Sequence, residues 1–345
     1  MDILENISLA AFTTFSIGGP ARWFAEARGE EEIVEAVDWA HRRGLSLFVL
    51  GGGSNLLVSD AGFDGLVLRV GLRGIEARPN GVLSAAAGEP WDDCVERSTV
   101  ARLAGIECLA GIPGTVGGTP VQNVGAYGQE VASVIDRVRA YDLDARAFVE
   151  FTAGECGFAY RQSRFNTRDK GRFIVTRVDY RLRPGGAPLL AYADLKQHFR
   201  EWKQGPALAE VAEAVRGIRR AKGMLVVEGD ADCRSAGSFF KNPTVPQEIA
   251  DRVREFAADR GLALRAYPAG DGGVKIPAAW LIEQAGFPKG FARGRAGISS
   301  RHTLALINRG GATAADVLGL AAEIRASVEA QFGIRLEQEP VLVGC

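Results

Sequence analysis

The sequence predicts an α+β protein with more than one domain, and three observations carry that prediction. A chain of 345 residues with 47% hydrophobic side chains is long and apolar enough for two or three cores. In its first part, helix and strand patterns lead into two glycine-rich loops. From about 208 to 333, helices and a strand imply a βαβ-type unit with its own core.

Composition excludes several classes. With 41 basic and 42 acidic residues the net charge is −1, so there is no global electrostatic case for nucleic acid or a membrane surface. Any anion must be bound locally. The start, Met1-Asp2-Ile3-Leu4-Glu5, lacks a basic region followed by an apolar core, and no apolar run reaches the ~18 residues of a membrane span. A cytoplasmic protein is expected. Cys94, Cys108, Cys156, Cys233 and Cys345 form no CxxC pair, and His41, His198 and His302 are far apart. Neither a zinc site nor a disulfide framework is expected.

In chain order, 13–21 reads as a short extended piece ending in a turn. A helix over 30–43 opens with Glu30, Glu31 and Glu32 and closes with His41, Arg42 and Arg43, the charge order favoured by a helix dipole. The strand pattern 45–50 runs into Gly51-Gly52-Gly53-Ser54-Asn55-Leu56. This loop lacks the third glycine of GxGxxG and the Gly-Lys-Ser/Thr of a P-loop, so a Rossmann manner of binding is excluded. A strand over 65–70, a hairpin turning at Pro79-Asn80-Gly81 and a helix over 91–104 follow.

The stretch Gly111-Ile-Pro-Gly-Thr-Val-Gly-Gly-Thr-Pro-Val-Gln-Asn-Val-Gly-Ala-Tyr-Gly128 cannot be an ordinary helix or strand, because glycine there costs entropy and proline removes a donor. It reads either as a long connecting loop or as bare backbone whose N–H groups face a phosphate or a flat polar ring. Strands are expected over 138–141, 147–151 and 173–180, with Arg161 and Ser163 among aromatics between them, where a plain structural ion pair is equally possible. Pro184-Gly185-Gly186 is a break. Helices are expected over 192–199, 208–222, 246–260, 278–285 and 313–332, the last opened by Thr313 with Asp316. The cations at the end of 208–222 read as a solvated face. Ser238 lies in Ser235-Ala-Gly-Ser-Phe-Phe-Lys-Asn-Pro243, without GxSxG or a nearby activating base, so it reads as a turn or cap and not as a hydrolase nucleophile. Strands over 303–308 and 334–343 complete the chain. Alternation puts Glu337 and Glu339 on one face of the last.

Taken together, Thr14-Phe-Ser-Ile-Gly-Gly19, Leu50-Gly-Gly-Gly-Ser-Asn-Leu56, Gly111-Ile-Pro-Gly114, Gln122-Asn-Val-Gly-Ala-Tyr-Gly128, Tyr160-Arg161-Gln-Ser163, Gly237-Ser-Phe-Phe-Lys-Asn-Pro243, Ala279-Trp-Leu-Ile-Glu-Gln284 and Leu336-Glu-Gln-Glu339 resemble the UDP-N-acetylenolpyruvoylglucosamine reductase family in order and over essentially the whole chain. The resemblance implies a two-subdomain FAD-binding fold of the vanillyl-alcohol-oxidase type plus a separate α/β substrate-binding domain. Residues 1–70 and 71–206 would be the FAD subdomains, with 334–345 returning to the second, and 207–333 the substrate domain. It implies non-covalent FAD, since neither glycine loop holds a histidine. Cofactor contacts would come from Leu50, Gly51, Gly52, Gly53, Ser54, Asn55 and Leu56, and from Gly111, Pro113, Gly114, Gly117, Gln122, Asn123, Gly125, Ala126, Tyr127 and Gly128. Tyr192 points to the longer subclass, in which a tyrosine-bearing loop closes over substrate.

The implied reaction is NADPH-dependent reduction of UDP-N-acetylglucosamine enolpyruvate, by a monomer with neither nucleic acid nor membrane as partner. Arg161 would donate to the developing enolate, Glu339 would sit near the same carboxylate, and Ser238 would protonate the carbanion. Tyr192 and Lys222 would bind the UDP phosphates, with Asn242 beside the serine loop and Gln284 on the nucleotide side. Pro340 stands where the family more often has an aliphatic residue, and it cannot donate to a ladder. Two rivals are a different FAD oxidoreductase of this fold, which would not need Arg161, Ser238 and Glu339 together, and a catalytically silent nucleotide-sugar-binding protein.

Overall fold

A computed structural model describes residues 1–269 and 272–344; Cys345 lies outside the described residues. The chain forms two compact units. Unit 1 comprises Met1–Ile7, Pro20–Gly53 and Phe63–Ala221, and unit 2 comprises Ser8–Gly19, Ser54–Gly62 and Lys222–Cys345.

Unit 1 is built on two sheets. The first has the strand order Ile3–Ser8, Pro20–Ala27, Phe63–Val70, Ser46–Leu50, and its last three strands are parallel. The helix Glu30–Arg42 covers it by burying Ile33, Ala36, Val37 and Ala40. Three glutamates in its first turn and His41 and Arg42 in its last match the expected charge order. The second sheet is antiparallel, in the order Ala147–Thr152, Ile135–Asp142, Phe173–Arg181, Val82–Ala86, Ile75–Ala77. Trp91, Val95, Tyr180, Val211 and Val215 belong to the core of this unit.

Unit 2 has three small sets of strands. Thr244–Val245, Val274–Lys275 and Tyr267–Pro268 are antiparallel, as are Ala292–Arg293, Ala296–Ile298 and Leu306–Asn308. Leu56–Val58 pairs in parallel with Val341–Val343. Helices Gln247–Asp259, Ala278–Gln284 and Ala314–Phe332 share a core with Phe15, Ile17, Leu57, Phe239 and Phe240. Thr313 and Asp316 make the expected reciprocal cap. Among the described residues no helix is long and apolar enough to cross a membrane.

Several expectations are corrected. The sequence does not point to strands Ile3–Ser8 and Pro20–Ala27; they are neighbours in the sheet, and Pro20–Ala27 is fixed on its other side by Phe63–Val70, distant in the chain. The helix from Trp91 stops at Val100 because Arg102 turns left-handed (φ 54°), and Leu103–Ala104 then pairs with Arg183–Pro184. The 208–333 segment is not a βαβ unit: its strands pair antiparallel, and the helix Leu208–Ala221 packs in the core of unit 1. The C-terminal strand is confined to Val341–Val343, because the pairing changes partner at Pro340: Gln338 faces Phe240, whereas Val341–Val343 lies beside Leu56–Val58.

Candidate active site

In unit 1 the two glycine loops meet backbone to backbone. A Cβ on Gly52 would lie 2.5 Å from Gly114 Cα and 2.9 Å from Thr115 N, so only glycine allows this approach. Trp91, at the start of its helix, donates its N–H to Gly114 O (3.0 Å) and its indole N–H to Leu109 O (2.9 Å). Gly111 is left-handed (φ 69°) and held at both ends: its N–H donates to Asp92 Oδ1 (2.7 Å), and its carbonyl accepts from Arg219 Nε (2.9 Å). Asp92 also accepts from Arg216 at 2.9 and 3.1 Å.

The end of the Leu208–Ala221 helix is therefore not the solvated face expected. Arg219 is 6% exposed, and burial lowers its pKa against the opposing pull of Tyr127 and Asp92. Sequence reasoning missed Arg216, Arg219 and Asp92 as supports of the loop. The available signal was the i, i+3 spacing of the two arginines, which puts both on one face.

Among the described residues, the N–H groups of Gly51, Gly52, Gly53, Gly114 and Thr115 donate to no protein acceptor. Bare main-chain donors on two loops that approach each other closely at Gly52 fit a ligand bound through its phosphates by main-chain contacts. Beyond them, Gly118–Gln122 forms one helical turn from Gly117 and ends at left-handed Asn123 (φ 42°). The Asn123 side chain is spent internally, donating to Ala159 O (2.9 Å) and Glu130 Oε2 (3.2 Å) and accepting from Ala132 N (3.2 Å). Gly125–Ala126 then pairs with Gln129–Glu130 across a turn at Tyr127 (φ 50°) and Gly128 (φ 88°). Positive φ at both central residues is the type I′ hairpin.

Arg161 is held against the same loop. Its Nη2 donates to Gly125 O (2.9 Å), with a longer contact from Nη1 to Asn123 O (3.5 Å), and its guanidinium lies 5.4 Å from the centre of the Tyr160 ring. Its own backbone is left-handed (φ 56°) and its carbonyl accepts from Asn166 Nδ2 (3.1 Å). Asn166 closes a reciprocal cap with Ser163, whose hydroxyl donates to Val121 O (2.9 Å). The Tyr192 ring, 43% exposed, meets that of Tyr127 edge-on at 5.2 Å.

In unit 2 the serine loop and the C-terminal stretch form a short antiparallel pairing. Glu339 N donates to Phe239 O (2.9 Å), Lys241 N donates to Glu337 O (2.9 Å), and Phe240 bridges Gln338. Ser238 and Glu339 are thereby brought onto neighbouring backbone. Phe239 and Phe240, both 1% exposed, fix the loop in the core, and Thr14 Oγ1 donates to Ser235 O (2.6 Å). Pro340 is accommodated because no donor is wanted there. On its two sides, Asn55 Nδ2 donates to Glu339 O (3.4 Å) and Val341 N donates to Asn55 O (2.9 Å). Asn242 Oδ1 accepts from Ala278 N (2.9 Å) at the start of the helix Ala278–Gln284, Gln284 ends that helix, and Lys222 is the first residue of the unit's last segment.

Two family models match the chain: "FAD binding domain" over residues 21–147 and "UDP-N-acetylenolpyruvoylglucosamine reductase, C-terminal domain" over residues 229–343. The UDP-N-acetylenolpyruvoylglucosamine reductase of Thermobifida fusca is 46% identical over 351 residues, covering 99% of this chain and 98% of its own. The chain belongs to the UDP-N-acetylenolpyruvoylglucosamine reductase family. The enzyme of that name from Streptomyces avermitilis is 47% identical over 349 residues, covering 99% and 95% of the two chains. The crystal structure of the Thermus caldophilus reductase superimposes with a TM-score of 0.68 at 27% identity, covering 99% of each chain. The fold is α+β, with an FAD-binding module of the vanillyl-alcohol-oxidase type and the C-terminal domain of this reductase family.

Proposed function

We propose that this chain is the NADPH-dependent flavoenzyme that reduces the enolpyruvyl ether of UDP-N-acetylglucosamine in peptidoglycan precursor synthesis. The observation that supports the reading is the pairing of the serine loop with the C-terminal stretch, in which Phe239, the neighbour of Ser238, faces Glu339, in a chain of this family. When bound, FAD supplies to the terminal carbon of the ether a hydride taken from NADPH. Negative charge then builds on the adjacent carbon and its carboxylate. Arg161 offers that charge a fixed fork of N–H donors. Ser238 delivers its hydroxyl proton to the carbanion, a base strong enough to take it without an activating histidine. Glu339 shares a proton near the same carboxylate.

The glycine loops named above would hold FAD non-covalently. Tyr192 and Lys222 would take the diphosphate, with Asn242 and Gln284 toward the rest of the nucleotide sugar. The same reading takes 1–70 and 71–206 as the flavin subdomains, with 334–345 joined to the second, and 207–333 as the substrate module. This is a functional division, whereas compactness groups Leu208–Ala221 with unit 1 and the C-terminal residues with unit 2. The same reading takes the chain as a cytoplasmic monomer, and the balanced charge gives no electrostatic case for a nucleic-acid or membrane partner.

The test is anaerobic. The visible spectrum should bleach on adding NADPH and return on adding the enolpyruvyl ether; a spectrum that bleaches and does not return removes the substrate assignment. Ser238→Ala should keep the NADPH step and slow the return by about 10²-fold or more, the scale of general acid catalysis. Equal loss in both steps would remove the serine from the proton-donor role.

A further inference from the structure

We propose that Glu107 is a positioning residue that sets the tyrosine pair Tyr127 and Tyr192, and through it substrate affinity; this rests on the reading of Tyr192 as a substrate contact. Glu107 is fully enclosed, at 0% exposure. Its Oε2 accepts from Gly105 N (2.7 Å), and its Oε1 accepts from Gln129 Nε2 (2.8 Å) and Leu189 N (2.9 Å). Gln129 Oε1 accepts in turn from Cys108 N (2.7 Å), and the Cys108 thiol donates to Leu189 O (3.2 Å). Burial pushes that thiol up to about 12, so it remains an S–H donor at neutral pH. Among the described residues no cation pairs with Glu107. A carboxyl group taken out of water is costly unless its oxygens are satisfied, so these N–H donors are what make its burial tolerable.

The consequence is geometric. Three chain segments converge on one carboxyl group, and two of them carry a tyrosine close by. Gln129 is the base of the type I′ hairpin whose turn holds Tyr127, and Leu189 precedes Tyr192 by three residues. A Cβ on Gly128 would lie 3.3 Å from Ala191 Cβ, so turn and segment run in contact. Leu189 is hydrogen-bonded through both its N–H and its carbonyl, while Tyr192 is half-exposed and meets Tyr127 at an interplanar angle of 85°. The clamp thus fixes where the exposed ring of Tyr192 starts from. All three contacts of Glu107 are donors, so an amide at this position must turn one N–H against another.

Glu107→Gln should raise KM for the enolpyruvyl ether about tenfold, equivalent to the loss of one or two hydrogen bonds. The rate of flavin bleaching by NADPH should stay within about twofold, because a uniform binding loss leaves the other half-reaction alone. Tyr192→Ala should mask the effect, so that the double variant has the KM of Tyr192→Ala; additive increases, or equal losses in both half-reactions, would overturn the proposal. Chymotrypsin reads the clamp without substrate: Glu107→Gln should be cut faster after Leu189, Leu190 or Tyr192, and an unchanged cleavage rate would also overturn it. Should the ether fail to restore the spectrum of the wild-type protein, the functional reading falls while proteolysis still decides the clamp. Where Glu107→Gln does not fold, Cys108→Ala decides: about a twofold rise in the same KM supports the clamp and an unchanged KM overturns it, on the scale of one weak hydrogen bond.

Discussion

At the scale of single residues, a few positions carry geometry that no other side chain could. Gly52 is one: its absent Cβ would meet Cα and carbonyl carbon of Gly114 at 2.5 and 2.8 Å, and neither atom can rotate away. Gly52→Ala should therefore part the two glycine loops. Overpacking of this kind costs about 1–3 kcal/mol. The expected result is a lower melting temperature, with less FAD retained through gel filtration and an unaltered circular dichroism spectrum. Wild-type flavin content with wild-type melting would show that the loops can separate without harm.

Between elements, Glu30 ties the first helix to the antiparallel sheet. It is the first residue of Glu30–Arg42, where a negative charge suits the helix dipole, and it accepts from Arg139 Nε and Nη2 (2.9 Å each) and from Thr176 Oγ1 (2.7 Å). The Arg139 hydrogen bonds hold its carboxyl below the ordinary 4.5, with burial opposing and Thr176 assisting. A folded-state pKa below the unfolded one means stability that is present above about pH 4.5 and is lost as pH falls through the depressed value. Glu30→Gln should cost about 1–3 kcal/mol at pH 7, and the gap to wild type should narrow progressively below about pH 5 in urea titrations. A gap of equal size at pH 7 and pH 3.5 would mean that the carboxylate charge contributes nothing.

Elements announced by local chemistry were legible in the sequence. The charge order of Glu30–Arg42, the cap of Thr313 with Asp316 and the hairpin turn at Asn80-Gly81 each place an element without reference to the rest of the chain. Elements defined by distant partners were not. Pro20–Ala27 becomes a strand because Phe63–Val70 lies beside it, and the end of the Trp91 helix is set by a pairing with Arg183–Pro184. The candidate site divides in the same way. Motif order pointed to Arg161, Ser238 and Glu339, whereas the supports Asp92, Arg219 and Glu107 have ordinary sequence surroundings and acquire their roles only through contacts across tens of residues.

At the scale of the whole molecule, the most consequential feature is that unit 2 is discontinuous. Its core takes Phe15, Ile17 and Leu57 from the N-terminal part of the chain, exposed by 0, 3 and 0%, and its C-terminal strand Val341–Val343 pairs with Leu56–Val58. Burying each such side chain contributes about 1.5–3 kcal/mol. Together the three approach the whole net stability of a typical domain, about 5–15 kcal/mol. A fragment of residues 222–345 should accordingly fail to fold, although the C-terminal family model covers 229–343 within it. The measurement is a thermal melt of that fragment followed by circular dichroism. The expectation is a broad, non-cooperative change; a sharp transition near that of unit 2 in the full chain would show that the N-terminal segments decorate this core and do not complete it.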